Sequence, residues 1–304
     1  MNKQQLVDEI KRLKEEKNAV ILAHYYQRAG VQDVADYMGD SLKLSRIAAE
    51  TDADMIVFCG VHFMAETAKI LSPEKTVLLP VAEAGCPMAD MVTERKLTAY
   101  KEKHPDTLVV CYVNTTAQVK ALSDVCVTSS NAEKVIRHYE GEKLLYVPDK
   151  NLGTYLKHKY DLDMEVWPGF CCIHNDVTKE EVEFAKSTYP NAEFIVHPEC
   201  RMEIVEMADF VGSTKGLLEY VSNSDCQEFI IGTEKGIIHQ MELANKDKKF
   251  HLLSENLACY DMKLTNLEDV YEALKNEQHV IEVEETIREQ ALKSLNRMFE
   301  LTDQ

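Results

Sequence analysis

The chain states one grammar three times. An apolar, strand-like run ends at His24, Tyr112 or His197, and an aspartate follows each of these by twelve positions: Asp36, Asp124 and Asp209. A hydroxyl residue follows each aspartate by five: Ser41, Ser129 and Thr214. A second apolar run closes at Gly60, Pro148 and Gly232, which lie 24, 24 and 23 residues after the respective aspartate. A third run then leads to a cysteine, Cys86, Cys171 or Cys259, spaced 85 and 88 residues apart. Any βα unit looks somewhat like another, but shared spacing over several landmarks points to a genuine triplication.

Between the apolar runs lie good helix formers, such as Ala65–Leu71 and Thr116–Leu122. Strands alternating with helices predict parallel sheets covered on both faces. The expected fold is therefore α/β: three similar three-layer α/β/α units, with parallel sheets around a pseudo-threefold axis. The units are read as residues 1–87 with an N-terminal helix (Leu6, Ile10 and Leu13 on one face), 88–173, and 174–304. The last includes a helical tail bearing Ile287, Ala291, Leu295 and Met298 on one face.

Composition narrows the function. The 304 residues carry 34 Lys+Arg against 52 Asp+Glu, a formal net charge of −18, which argues against nucleic acid or an anionic membrane as the main partner. A small anion held locally by N–H and hydroxyl groups remains compatible with that charge. No apolar run approaches the length of a membrane span, and the N-terminus has no signal-peptide pattern, so a cytoplasmic location is expected. Nine cysteines in such a compartment are expected to be thiols, metal ligands or catalytic groups rather than disulfides.

Ligands of open parallel sheets bind at the carboxyl ends of the strands. Those ends carry His24, Tyr112, Asn114, His197 and Glu199, together with the three repeat cysteines. Three thiolates meeting on an axis suggest a soft metal centre. No Cys-x-x-Cys pair is present, so a zinc knuckle is disfavoured. A [4Fe-4S] cluster on three cysteines would leave one iron open as a Lewis acid. Cys59, Cys111 and Cys126 lie in apolar runs and read as core residues. Ser41, Ser129 and Thr214 read as helix N-caps, as hosts for a carboxylate or phosphate, or as both. Glu199 stands two residues past a strand-end histidine, a placement suited to proton transfer. His62 and His174 each read more readily as structural histidines.

The combination Ala23-His-Tyr-Tyr-Gln27, Gly39-Asp-Ser41, Gly60-Val-His-Phe-Met-Ala-Glu66, Tyr112-Val-Asn114, Pro148-Asp-Lys-Asn-Leu-Gly153, Gly169-Phe-Cys-Cys-Ile-His174, His197-Pro-Glu-Cys200 and Gly212-Ser-Thr214 resembles the quinolinate synthases, the A protein of NAD biosynthesis, over about residues 5–300. The resemblance implies condensation of iminoaspartate with dihydroxyacetone phosphate to quinolinate, with loss of phosphate and water. It implies a [4Fe-4S] cluster held by Cys86, Cys171 and Cys259, where Cys171 rather than Cys172 matches the Gly-x-Cys-x-x-His pattern. The substrate-contacting set it implies is His24, Ser41, Tyr112, Val113, Asn114, Ser129, His197, Pro198, Glu199 and Thr214. Glu199, Tyr26 and His197 would be the catalytic residues. Functional coupling to an enzyme that makes unstable iminoaspartate is a further expectation. The His-Tyr-Tyr-Gln and Tyr-Val-Asn motifs argue against another triplicated three-cysteine protein, such as the radical enzyme of diphthamide synthesis. Some members carry an extra Cys-x-x-Cys near the last ligand. Cys259-Tyr-Asp-Met262 has none, so no regulatory disulfide is expected there.

Overall fold

In the computed structural model, which describes all of residues 1–304, twelve strands form three separate four-stranded sheets. The first holds β1 (Ala19–His24), β2 (Tyr37–Gly39), β3 (Met55–Cys59) and β4 (Thr76–Leu78). The second holds β5 (Leu108–Tyr112), β6 (Val125–Val127), β7 (Leu144–Val147) and β8 (Met164–Val166). The third holds β9 (Glu193–Val196), β10 (Phe210–Val211), β11 (Glu228–Gly232) and β12 (Lys249–Leu252). Each sheet orders its strands second, first, third, fourth, and every pairing is parallel. This is the expected α/β arrangement of three repeated α/β/α units.

The central strands are buried on both faces, which is why they read as unbroken apolar runs rather than alternating ones. In β1, Val20 and Leu22 enter the large core shared by all three units, whereas Ile21 and Ala23 face a smaller outer core. Helix Lys3–Glu16 covers that outer core with Leu6, Ile10 and Leu13, beside Val270 and Leu274 of helix Leu267–Asn276. The third sheet splits likewise: Ile195 and Ile231 face the shared core, and Phe194, Val196 and Ile230 face an outer one. The last helix, Glu285–Asp303, buries Ala291, Leu295, Met298 and Leu301 and lies against β6 and helix Ala117–Ala121 of the second unit. It carries many charged residues, and no helix is long and apolar enough to cross a membrane.

The repeated aspartate has a local reason. The Asp36 carboxylate accepts the N–H of Ile21 at 2.8 Å while its own N–H donates to Ile21 O at 2.9 Å. Asp124 does the same with Val109 (2.7 and 3.0 Å), and Asp209 with Phe194 (2.8 and 2.8 Å). Each aspartate thus ties the entry of the short second strand to the first and sets the register between them. A lysine accompanies each one: Lys14, Lys101 and Lys186 form ion pairs with Asp36, Asp124 and Asp209.

Candidate functional site

One cavity, with an empty volume of about 660 Å³, lies where the carboxyl ends of the three sheets meet. Its wall contains all three repeat cysteines. Their loops are seated by one backbone bond used three times. The N–H of His62, Lys150 and Lys235 donates to the carbonyl two residues before each cysteine, namely Ala84 (2.8 Å), Gly169 (2.7 Å) and Leu257 (2.8 Å). Cys172 is exposed and lies outside the cavity wall. Cys59, Cys111, Cys126 and Cys200 are buried free thiols.

The strand-end residues line the same cavity. His24 and His197 are buried, at 4% and 2% exposure, and adopt one geometry. His24 Nδ1 accepts the N–H of Tyr26 at 3.1 Å, and His197 Nδ1 accepts the N–H of Glu199 at 3.2 Å. Those bonds fix the tautomer, leaving Nε2–H as the free donor of each neutral ring. Burial, with Lys263 and His197 nearby, lowers the His24 pKa to about 3. Burial also lowers His197 to about 4, outweighing the attraction of Glu199.

Tyr26, Asn114 and Glu199 each stand two residues beyond the repeat landmarks His24, Tyr112 and His197, and all three line the cavity. The Tyr26 hydroxyl lies 3.0 Å from Thr214 Oγ1 and 2.9 Å from Thr233 Oγ1, and burial raises its pKa, so the phenol is neutral. Asn114 Oδ1 is buried without a hydrogen-bond partner, an acceptor open to a ligand. Glu199 accepts a 2.8 Å bond from the Tyr112 hydroxyl and lies 2.8 Å from His174 Nδ1. Burial works to raise the Glu199 pKa. His197, His174 and Tyr112 outweigh it and hold the group at about 2, as a carboxylate.

Ser41, Ser129 and Thr214 also line the cavity, but the cap reading shifts by one residue. Asp40 caps helix Ser41–Glu50 through Lys43 N, and Ser213 caps helix Thr214–Asn223 through Gly216 N. Ser41 and Thr214 are therefore first helical residues, with hydroxyls released from capping. In the second unit the helix begins only at Ala132, so Ser129 caps nothing. The reason is plain in the sequence: Asp40-Ser41 and Ser213-Thr214 each offer two capping residues side by side, and the first is used. Ser130 donates to Asp40 and lies 3.1 Å from Ser213 Oγ, so the three corresponding turns meet. Val113 and Pro198 are buried behind the wall, and Val113 N–H is spent on Val127 O at 2.9 Å.

The structure adds His174, which the sequence reading set aside. Its ring is almost wholly buried; Nδ1 is 3.2 Å from Cys171 Sγ and Nε2 is 2.9 Å from Thr233 Oγ1. The signal that could have found it is the three-residue spacing from Cys171, one helical turn. His62, by contrast, sits at a helix start outside the cavity, with its side chain half exposed.

The donor set fits a cluster with one open corner. Three thiols from three units face one cavity, and no fourth cysteine lines it. Burial raises the pKa of all three thiols, Cys259 to about 11, so loading a metal must displace protons.

The sequence profile of the Quinolinate synthetase A protein family matches residues 8–300. The chain belongs to this family. Among its relatives, quinolinate synthase of Alkaliphilus metalliredigens is 52% identical over 302 residues, which is 99% of this chain and 100% of that protein. Quinolinate synthase of Caldicellulosiruptor bescii is also 52% identical over 302 residues, with the same shares covered. Quinolinate synthase 2 of Methanosarcina acetivorans is 50% identical over 297 residues, 98% of this chain and 96% of that one. The family's members are enzymes, and the match runs through all three sheets and every residue lining the cavity.

Proposed function

We propose that the protein makes quinolinate for NAD biosynthesis by condensing iminoaspartate with dihydroxyacetone phosphate, releasing phosphate and water. The observation that carries this reading is the convergence of three repeat cysteines and the polar strand ends on one cavity, in a chain of this family. Cys86, Cys171 and Cys259 would hold a [4Fe-4S] cluster, which when bound supplies Lewis acidity at an iron without a protein ligand.

The chain's own residues do the rest. His24 and His197 offer neutral Nε2–H donors to substrate oxygens. Ser41, Ser129 and Thr214 offer hydroxyls, two of them at helix N-termini whose dipoles favour carboxylate or phosphate. These local donors answer the unfavourable field of a protein with net charge −18. Asn114 Oδ1 accepts from a substrate N–H or O–H. Glu199 is the general acid/base group: it is a carboxylate at neutral pH, and a proton it takes from substrate can be passed on through its contact with His174. Tyr26, held by Thr214 and Thr233, closes the wall and presents a neutral hydroxyl.

The test is anaerobic incubation of cluster-loaded protein with both substrates, read by the ultraviolet absorbance of quinolinate. Formation of quinolinate is expected, and its absence from a fully loaded sample overturns the assignment. Cys171, His174 and Glu199 also place three donor atoms within 4.8 Å of one another, a set that suits a single zinc ion. Metal analysis separates the readings: iron with sulfide supports the cluster, and zinc alone supports the rival.

A further inference from the structure

The three cysteines share one backbone anchor but differ in a second. Two residues past the end of β7 stands Asp149, and two past the end of β11 stands Glu234; both are fully buried. Asp149 Oδ2 accepts the N–H of Cys171 at 3.1 Å. Glu234 Oε1 accepts the N–H of Cys259, also at 3.1 Å. Two residues past β3 the corresponding position is Val61, which has no acceptor to offer Cys86.

Each carboxylate is itself fixed to the fold. Asp149 Oδ1 accepts from Asn151 N at 2.7 Å and Leu152 N at 2.8 Å, capping helix Lys150–Tyr160. Glu234 Oε2 accepts from Gly236 N at 2.7 Å, and Lys263 Nζ donates to both oxygens at 2.9 and 3.0 Å. Lys263 also donates to Tyr26 O, joining this anchor to the cavity wall of the first unit. The Cys171 loop lies hard against its strand: a Cβ on Gly169 would stand 2.5 Å from Pro148 O. With their oxygens committed in this way, neither carboxylate serves as a ligand. Each clamps the main chain of a cysteine at the residue that carries the sulfur, the role outer partners play around metal ligands.

We propose that Asp149 and Glu234 are positioning residues for Cys171 and Cys259, a clamp on the cysteine N–H that Val61 does not supply to Cys86, where Asp261 Oδ1 instead accepts the N–H of Gly85 at 3.3 Å. The inference rests on the three-cysteine centre proposed above.

The experiment is site-resolved thiol alkylation, quantified by peptide mass spectrometry, on the full chain both metal-free and cluster-loaded in the presence of an iron chelator. The labelling rate of each cysteine in the wild type serves as its own reference. In Asp149→Ser, where serine still caps the helix but does not reach Cys171, labelling of Cys171 rises roughly tenfold and Cys259 is unchanged. In Glu234→Ser, whose hydroxyl is too short to reach Cys259 N–H, the pattern reverses. If Asp149→Ser does not fold, Asp149→Asn replaces it. Equal acceleration at both cysteines in each variant, or no acceleration, overturns the proposal. A wild type that takes up no iron and sulfide overturns the cluster reading, while the metal-free labelling still decides the anchoring.

Discussion

His174 Nδ1 lies 2.8 Å from Glu199 Oε2, and both side chains are closed off from solvent. The ring's other nitrogen meets Thr233, whose hydroxyl meets Tyr26. A continuous line of hydrogen-bonding groups therefore runs from Tyr26 to the carboxylate that Tyr112 holds on its other side. Replacing His174 leaves the buried Glu199 short of a partner. For His174→Ala we expect kcat per cluster-loaded enzyme to fall roughly a hundredfold. Steady-state rates on samples matched for iron check this, and an unchanged kcat contradicts it.

The repeated aspartates make the same two bonds three times, so their loss has one cost repeated three times. Asp36→Ala, Asp124→Ala and Asp209→Ala are each expected to destabilise the chain by about 1–3 kcal/mol, because each leaves a strand N–H unpaired. Urea unfolding of the metal-free protein measures this. A negligible effect at all three positions would remove the structural account of the repeat.

Those aspartates explain what could be read beforehand. The periodicity was visible because a carboxylate at a fixed offset is required to join two strands, and that requirement recurs in every unit. The apolar runs were visible because both sheet faces are buried. The capping residues were displaced by one because Asp40-Ser41 and Ser213-Thr214 present equivalent chemistry twice, and only the backbone decides between them. The short strands Tyr37–Gly39 and Phe210–Val211 carry too few residues for a pattern. His174 and Thr233 resisted because a single histidine or threonine has many structural uses. Their role follows from the neighbours that the fold delivers from distant parts of the chain.

Protonation gives a prediction with a definite sign. An unfolded imidazole titrates near about 6.5, whereas burial holds His24 at about 3 and His197 at about 4. Between those limits the unfolded chain binds protons that the folded chain refuses, so stability is full above about pH 6.5 and falls as the pH drops towards 4. Glu199 acts with the same sign at lower pH. Its stabilisation is present above the ordinary carboxylate range and is lost progressively as the pH falls from there towards 2, below this window. Urea unfolding of metal-free protein at pH 7.5 and pH 5 should show lower stability at pH 5 and a smaller difference in His197→Asn. Equal pH dependence in variant and wild type would contradict the assignment.

Cys171 and Cys172 are neighbours with different fates. Cys171 faces the cavity and Cys172 faces solvent. Cys172→Ser is expected to bind a full complement of iron and sulfide, and Cys171→Ser to lose most of it. Iron and sulfide analysis after anaerobic reconstitution decides, and the opposite result would move the centre to the other sulfur.

The central claim is that three cysteines hold a cluster whose remaining iron meets the substrate. Mössbauer spectroscopy of the iron-57-loaded protein, with and without quinolinate, tests it most directly. The account predicts that one iron differs from the other three and that its signal alone shifts when quinolinate is added. Equivalent irons that ignore quinolinate would contradict it.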